Sequence, residues 1–496
     1  MSSKVLIMSN LEETLLDTFG GKLRVKFDEN AKVTSLGQLS FFIDFLKTSG
    51  LYEKWVKECP LNYQSNNAPE KEDVLGTLLL SVLSGHKRYA HVTSIRSDKV
   101  NSELLKMKKV VSEDSLRRAL QKMDESESLA WLSEQFSYCT DPLLENDWIL
   151  DIDSTVKPIY GNQEQAKIGY NPSKPGRPSH VYHSYMIANI RLILDVEVDS
   201  GNHTSAKYSM PGLWKVLDKL EPKKLPEFIR GDCAFGNEPI INEAEERGID
   251  YLFKLKQSTT IKKLLSEEYF SNDWEFAGNG YEGKECNVKL TTWTKERRAI
   301  LLRRRIKQDL LLEDSKQKQL AFIETNPSTS KYEYMVLVTS LDEDIITIAQ
   351  HYRDRADCEN NFDELKNQWG WGGFTTNDFK RCTIMAKNVA LIYNWWSLFV
   401  KLSFPNKHAE AITSKPLMLN SIGIQTHHAN QKRITITSLH AKSVKISKAL
   451  KRIGAILRVV KSSAEQLSKK EIWRQMCYVI FRKIMPDKKI LLPSLA

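Results

Sequence analysis

The sequence predicts a multidomain α+β protein with a mixed sheet flanked by helices near its centre. The chain has 496 residues, which is too many for a single hydrophobic core. Residues 1 to about 145 have the periodicity of helices, and alternating apolar runs begin at Trp148. Between residues 148 and 256 the predicted order is three strands, then helix, strand, helix and strand. This order is typical of a mixed sheet with helices on its faces.

We predict five segments along the chain. Residues 1–145 form a helical N-terminal domain and residues 146–256 form the first part of the core. Residues 257–343 are a β-rich insertion, in which strands are expected within NVKLTTWTKERRAILLRRRI, KQLAFIETN and KYEYMVLVTSL. Residues 344–375 contain a helix that completes the core, and residues 376–496 form a basic helical C-terminal region.

The N-terminal domain contains a possible DNA-binding motif near residues 105–125. Ser112 begins a capping pattern, and the amphipathic helix that follows carries Arg117 and Arg118 in its first turns. A helix, a polar turn and a second helix that opens with two arginines fit a helix-turn-helix, whose arginines would contact DNA. A plain helical hairpin explains the pattern equally well.

Charge and cysteine usage narrow the class of protein. Residues 401–496 hold 19 Lys or Arg against 4 Asp or Glu, a net charge of +15, so the first 400 residues carry −5. This asymmetry indicates an anionic partner, most simply nucleic acid, and a soluble cationic tail is the alternative. Seven scattered cysteines without a CxxC pair suit a reducing cytoplasm.

Neither a membrane span nor a histidine metal site is predicted. The most apolar segment, Val389–Val400, is too short to cross a bilayer and favours a core helix. The N-terminus has acidic residues where a signal peptide needs an apolar run. His180 and His183 have a spacing seen in some metal sites, but a third ligand is not evident nearby, so we interpret both as structural or surface residues.

The spacing of four polar residues predicts that they lie along one edge of a single helix. Tyr352, Arg355, Glu359 and Lys366 are separated by 3, 4 and 7 positions, which on a single α-helix places them within an arc of roughly 60°. An apolar stripe lies beside them, made of Cys358, Phe362, Leu365 and Trp369. The remaining side is expected to be solvent surface and includes Arg353, Asp354, Asp357, Asn361 and Glu364. An ordinary ion pair between Arg355 and Glu359 is the alternative to an active-site edge.

Two further acids follow the strand pattern of the predicted core. Asp153 ends the first strand and Asp232 ends the fourth. If these strands are parallel neighbours, both carboxylates emerge at the edge where open α/β sheets bind ligands. Glu359, from a facing helix, would complete a cluster of hard oxygen ligands suited to Mg²⁺ or Mn²⁺. Two such ions can support phosphoryl transfer.

These residues resemble those of insertion-sequence transposases of the DDE type, which have an RNase H-like core. One subgroup has a Tyr-x2-Arg-x3-Glu-x6-Lys signature, which the four residues from Tyr352 to Lys366 match at every gap. The first-acid motif is matched by Asp153-Ser154-Thr155, followed by GNQEQAKIGYNP. The second is matched by Arg230-Gly231-Asp232, followed by Phe235-Gly236-Asn237. The resemblance extends from about residue 145 to residue 400.

The resemblance implies a catalytic site and a reaction. Asp153, Asp232 and Glu359 would hold two Mg²⁺ or Mn²⁺ ions, with Asp151 as a rival for the first acid. Tyr352, Arg355 and Lys366 would contact phosphates near the cut DNA end. The implied activity is cleavage and strand transfer at terminal inverted repeats, by a cut-and-paste route through a hairpin end. The implied partners are double-stranded repeat and target DNA and a second copy of the chain, on the nucleoid of a bacterial cytoplasm.

The sequence departs from the family in the insertion. Members stack an extruded base on an aromatic side chain, often a Trp on the strand before the signature helix. Here that strand, YEYMVLVTS, offers Tyr332 and Tyr334 but no Trp, so Tyr334 ranks first as the stacking residue and Trp293 second. Two other functions stay open, a non-catalytic DNA-binding regulator derived from a transposase and a stand-alone RNase H-like nuclease.

Overall fold

The computed structural model describes most of the chain. The described residues are 13–63, 65, 67–203, 206–306, 332–404, 408–429, 431–437, 441–462 and 467–484. The predicted strand KQLAFIETN lies outside them.

The N-terminal part is mainly helical, but it opens with strands that the sequence analysis missed. Its elements are β1 (Thr14–Thr18), β2 (Gly21–Val25), β3 (Val33–Thr34), α1 (Leu39–Ser49), α2 (Leu51–Glu58), α3 (Lys71–Leu83), α4 (Lys99–Leu104), α5 (Glu113–Lys122) and α6 (Glu125–Thr140). Gly50 separates α1 from α2 because it adopts a positive φ of 75°, which favours glycine.

The capping pattern at Ser112 is present, since its hydroxyl accepts a hydrogen bond from the Ser115 N–H at 3.3 Å and starts α5. The eight residues between α4 and α5 are not helical. Their length exceeds the 3–4-residue turn of a helix-turn-helix.

The core is one mixed sheet, as predicted. Its elements are β4 (Ile149–Pro158), β5 (Lys167–Ile168), β6 (Pro178–Ile187), β7 (Leu192–Ser200), α7 (Ala206–Leu217), β8 (Phe228–Gly231), α8 (Glu238–Glu246) and β9 (Asp250–Lys254). The central strands lie in the order β7, β6, β4, β8, β9. β4, β8 and β9 are parallel, whereas β6 and β7 form an antiparallel meander. This is the arrangement expected of an RNase H-like sheet, and the predicted fold class is confirmed.

The insertion extends the core sheet. It contains α9 (Thr259–Glu267), β10 (Glu275–Phe276), β11 (Tyr281–Val288), β12 (Arg297–Arg305) and β13 (Tyr332–Thr339). β13 pairs antiparallel with β9, and β12, β11 and β10 follow outward, so the sheet has ten strands among the described residues. The insertion is therefore hydrogen-bonded to the core rather than folded as a separate sheet.

The signature residues lie on two helices, not on the one that the spacing predicted. α10 (Ile345–Arg353) and α11 (Ala356–Gln368) meet at Asp354 and Arg355. There the amide of Arg355 donates to the Tyr352 carbonyl at 3.2 Å, a tighter turn than that of an α-helix. The predicted apolar stripe is confirmed, since all four of its residues are buried. Asn361 and Glu364 were expected on the solvent surface and are buried as well.

The C-terminal part is not wholly helical. It contains α12 (Phe379–Ser403), α13 (Ala411–Met418), β14 (Gly423–His428), β15 (Gln431–Ile436), α14 (Ser443–Ser462) and α15 (Lys469–Ile484). The hairpin of β14 and β15 pairs with the N-terminal strand β3, which a local sequence pattern cannot predict. The apolar run Val389–Val400 lies inside α12 and is buried throughout, as expected of a core helix. None of the described helices is long and apolar enough to cross a membrane.

Candidate active site

Two carboxylates lie side by side on the central parallel strands. Ile152 of β4 is in register with Gly231 of β8, so Asp153 and Asp232 occupy the next pair of positions. Neighbouring strands are about 4.8 Å apart, which brings these two side chains to the same edge of the sheet. The carboxylate of Asp232 accepts a hydrogen bond from the Ala234 N–H at 2.9 Å. The two acids therefore lie next to each other as predicted, but Asp153 does not end its strand as expected, because β4 continues beside β6 to Pro158.

Arg355 connects the first acid to Glu359. Its guanidinium forms an ion pair with Asp153 and a second one with Glu359, whose Oε1 lies 3.1 Å from Nη1. The side chain of Arg355 is only 9% exposed, while that of Glu359 is 67% exposed. The break between α10 and α11 places Arg355 directly before α11 and directs it toward β4. The expected ion pair of Arg355 with Glu359 exists, but it is the exposed end of a triad whose other two members, Arg355 and Asp153, are buried or nearly so.

The carboxyl group of Asp153 has a strongly shifted pKa. Burial is the largest cause and raises this pKa to about 7. The Arg355 guanidinium opposes the shift, whereas the negative charges of Asp232 and Glu359 add to it. Two acids therefore act electrostatically on a third one that is buried, which is an arrangement common at functional sites.

The donor set suits a hard divalent cation. Asp153, Asp232 and Glu359 offer carboxylate oxygens, which are the ligands of Mg²⁺ and Mn²⁺. In the part of the chain that the structure describes, no three carboxylate, imidazole or thiol groups are close enough together to hold a single ion. The guanidinium of Arg355 is bound to two of the three acids. The three acids fit a metal ion because they are oxygen ligands and because a cation would relieve the repulsion between their charges. Arg355 would have to release Asp153 and Glu359 for the ion to bind.

Asp151, the rival first acid, has a different environment. It is fully buried and forms a two-pronged ion pair with Arg230, with Nε–Oδ1 at 2.5 Å and Nη2–Oδ2 at 2.8 Å. Arg230 also donates to the carbonyl of His351 near the end of α10. The pair therefore ties β4, β8 and α10 together. The sequence contained Arg230 in the second-acid motif without any indication of this role.

Tyr352 and Lys366 both interact electrostatically with Asp153. Burial raises the pKa of the Tyr352 hydroxyl, with Asp232 and Asp153 adding to the shift. Burial lowers the pKa of the Lys366 ammonium, which Asp363 and Asp153 oppose. The structure thus brings Tyr352 and Lys366 into electrostatic range of Asp153.

The other predicted DNA contacts are scattered. Arg117 is paired with Asp114 at 2.5 Å, and Arg118 is exposed with its Nε on the Asp114 carbonyl. Tyr334 is partly buried on β13. Trp293 is only 4% exposed and lies in the core beneath the guanidinium of Arg297, 5.0 Å from the ring centre. Trp293 therefore presents no free ring face for a base, contrary to the expectation.

The two histidines lie inside the sheet. His180 and His183 are both buried on β6, and His180 Nε2 is 2.9 Å from the Glu164 carbonyl oxygen. Burial lowers the pKa of both imidazoles. Their burial agrees with the structural role that was expected.

Comparison with known proteins found one matching family model and a similarity to solved structures. A family model described as transposase DDE domain group 1 matches residues 17–458. No curated protein matches the chain. Among solved structures, the chain is similar to the cryo-EM structure of a piggyBac transposase synaptic complex with hairpin DNA, with a TM-score of 0.38 and 12% identity. That similarity covers 90% of this chain and 85% of the other.

Proposed function

Because the chain belongs to the family of DDE transposases, we propose that it binds the terminal inverted repeats of a bacterial insertion sequence and cuts and joins DNA there. The observation that supports this proposal most directly is the position of Asp153 and Asp232 next to each other on the parallel strands β4 and β8. Arg355 forms ion pairs with both Asp153 and Glu359 and so brings the third acid to the other two. Asp153, Asp232 and Glu359 would hold Mg²⁺ or Mn²⁺, as two ions. Bound there, the ions would supply charge stabilisation and an activated oxygen nucleophile for phosphoryl transfer.

The remaining signature residues would position the DNA end. Arg355 and Lys366 are cations beside the acids, and their side chains pair well with phosphate oxygens. Arg355 would leave Asp153 and Glu359 for the DNA phosphate, which frees both carboxylates. The hydroxyl of Tyr352 would donate a hydrogen bond to the same strand. Asp153 is proposed as the first acid because Asp232 and Glu359 both act electrostatically on it, whereas Asp151 is fully buried in a two-pronged ion pair with Arg230.

The wider reaction is proposed on the family relationship. A cut-and-paste route through a hairpin end would need an aromatic face for a displaced base, and Tyr334 remains the proposed residue in the insertion. Arg117 and Arg118 are proposed to contact the repeat. A dimer on the paired ends, with target DNA as a further partner, would act on the nucleoid. The two alternative functions, a DNA-binding regulator without catalysis and a simple nuclease, would give different DNA products from a transposase.

Glu359→Gln tests the proposal. The change keeps the size of the side chain but removes the charge that would hold a divalent ion. Incubated with the flanking ends of the element and Mg²⁺, the wild-type protein should give nicked, hairpin and joined products, whereas the variant should give none and still bind the ends. The matched control is Asp363→Asn, which removes an exposed acid one turn away on α11. Near wild-type cutting by Glu359→Gln would reject the active site.

Product analysis also separates the alternatives. A wild-type protein that binds ends but never cuts them supports the regulator. Cutting without joining supports the nuclease.

A further inference from the structure

A cavity at the carboxyl end of β4, apart from the three acids, has features of a ligand site. Its volume is about 540 Å³, within the range of small-molecule sites. Its walls are the segment Lys87–Ala90, the start of α5, the end of β4 with the following residues up to Gln163, and Gly372–Thr375. The cavity therefore lies between the N-terminal helices and the core.

The cavity is cationic. Lys87 and Arg88 are exposed, and neither has an acidic partner among the described residues. Arg117 also lines the cavity, where Glu113 and Asp114 neutralise it in part. Two uncompensated cations in a concave site attract an anion such as a phosphodiester.

Two residues that line the cavity each carry a buried polar atom without a partner among the described residues. The side chain of Tyr89 is only 5% exposed, and its hydroxyl finds no hydrogen-bond partner among the described residues. The Oε1 atom of Gln163 is likewise buried and without a partner there. Buried polar atoms are nearly always paired, so an unpaired donor and an unpaired acceptor on two lining residues are groups that a bound ligand could pair.

One wall offers an aromatic face. Tyr160 is 70% exposed, and the guanidinium of Arg177 covers one side of its ring, with Cζ 4.9 Å from the ring centre. The other face is free to receive a flat group. An exposed tyrosine next to unpaired cations is the combination that binds unpaired nucleotides, by stacking of the base and pairing of the phosphate.

The cavity is firmly connected to the catalytic elements. Lys157 Nζ donates to the carbonyl of Gly373 at 2.5 Å, which holds the end of β4 against the segment after α11. A side chain at Gly373 would collide with the Lys87 carbonyl at 2.1 Å, so this wall requires glycine. From Asp153 to Pro158 the strand rises roughly 17 Å. This corresponds to about five base-pair steps along the axis of a B-form duplex.

We propose that this cavity binds an unpaired nucleotide of the DNA strand that leads into the active site, with its phosphate on Lys87 and Arg88 and its base on Tyr160. Tyr89 and Gln163 would pair with the polar groups of the same nucleotide. The inference rests on the proposed function, since it takes DNA as the substrate, and it adds a site for displaced single strand that the acids do not require.

The test measures binding by the full chain without divalent metal, so that no DNA is cut. The probes are duplexes of one arbitrary sequence, either blunt or with an overhang of about five nucleotides of either polarity, with 2-aminopurine in the overhang. Wild type should bind one overhang duplex more tightly than the blunt one and quench the 2-aminopurine. Tyr160→Ala should lower the overhang affinity by about 5- to 150-fold and leave blunt binding unchanged.

Three variants serve as comparisons. Tyr160→Phe keeps the ring and should retain the preference for the overhang. Tyr170→Ala removes another exposed tyrosine, which follows β5 and does not line the cavity, and should change nothing. Tyr89→Phe removes an unpaired buried hydroxyl, so the melting temperature should hold or rise while the overhang affinity falls. A purely structural Tyr89 would lower the melting temperature and leave the overhang preference intact.

Several outcomes would overturn the inference. Equal affinity for blunt and overhang duplexes is one, and an equal loss on both duplexes in Tyr160→Ala is another. Displacement of the overhang duplex by free dAMP as readily as by the same single strand would make the cavity a site for free nucleotides. Because the assay needs no catalysis, a Glu359→Gln protein that still cuts would overturn the proposed function alone.

Discussion

At the scale of single residues, Asp153 links metal binding to pH. Its pKa of about 7 exceeds the usual value of an aspartate, so the carboxyl group is protonated in the metal-free protein below that pH. A metal ligand must be deprotonated, and binding of Mn²⁺ must then release this proton. We expect the affinity for Mn²⁺ to rise by about tenfold per pH unit up to pH 7 and to level off above it. Titration calorimetry between pH 5 and pH 9 measures this, and a flat profile would contradict the assignment.

Arg355 stabilises the site in the absence of metal. Its removal leaves Asp153 buried beside two other acids without a counter-charge. Arg355→Gln should lower the free energy of unfolding of the metal-free protein by about 3–5 kcal/mol. Mg²⁺ should recover part of this loss, because the ion would neutralise the acids in place of the guanidinium.

Urea unfolding with and without Mg²⁺ measures both effects. Arg353→Gln, which removes a nearby arginine bound to the Ala277 carbonyl, should show no dependence on Mg²⁺. If Arg355→Gln lowers the free energy of unfolding equally with and without Mg²⁺, then Arg355 and the ion do not neutralise the same acids.

At the scale of elements, β4 carries two aspartates with separate tasks. Asp151 and Asp153 lie two residues apart on the same side of the strand, and each has its own arginine. Asp151→Asn leaves Arg230 charged and buried between β4, β8 and α10, and should cost about 3–5 kcal/mol of stability. It should still bind Mn²⁺ at a temperature where it is folded. Asp153→Asn should lose Mn²⁺ binding and DNA cleavage at a smaller cost in stability. Calorimetry and urea unfolding of both variants decide this, and the reverse pattern would make Asp151 the first acid.

The break between α10 and α11 explains how Tyr352 and Arg355, three residues apart, come to lie in different surroundings. Tyr352 ends α10 within an apolar cluster that includes Ile348, while Arg355 turns toward β4 before α11 begins. A straight helix would place Tyr352 and Arg355 on one continuous face. The tighter turn instead directs the two side chains to the acids from different positions.

At the scale of the whole molecule, the two ends of the chain form one core. Trp55 of α2 donates to Asn388 of α12 at 3.0 Å, and Trp473 of α15 donates to the Cys139 carbonyl at 3.1 Å. A fragment of residues 1–145 would expose the apolar surface that α12 and α15 cover. We expect such a fragment to lack a cooperative thermal transition and near-ultraviolet circular dichroism, while the full chain has both. Cooperative melting of the fragment would establish an independent N-terminal domain.

Short-range patterns in the sequence determined much of the molecule. The strands β4, β6, β7, β8 and β9, the cap at Ser112 and the apolar stripe of α11 depend on residues close together in the chain and are found as predicted, whereas the short strand β5 was not predicted. The two adjacent acids were predicted on the condition that their strands are parallel neighbours, and the pairing of β4 with β8 meets this condition.

Only the tertiary structure decided the features that depend on distant partners. The binding of Arg355 to Asp153 joins the residue before α11 to β4, and the pairing of β14 with β3 joins the C-terminal part of the chain to the N-terminal part. Glu364 was expected in solvent, but α13 and the residue before it cover it and supply the Ala411 N–H and His408 as partners. Burial and charge pairing act through space, so spacing along the chain could place these side chains on a helix or strand but not determine what each one contacts.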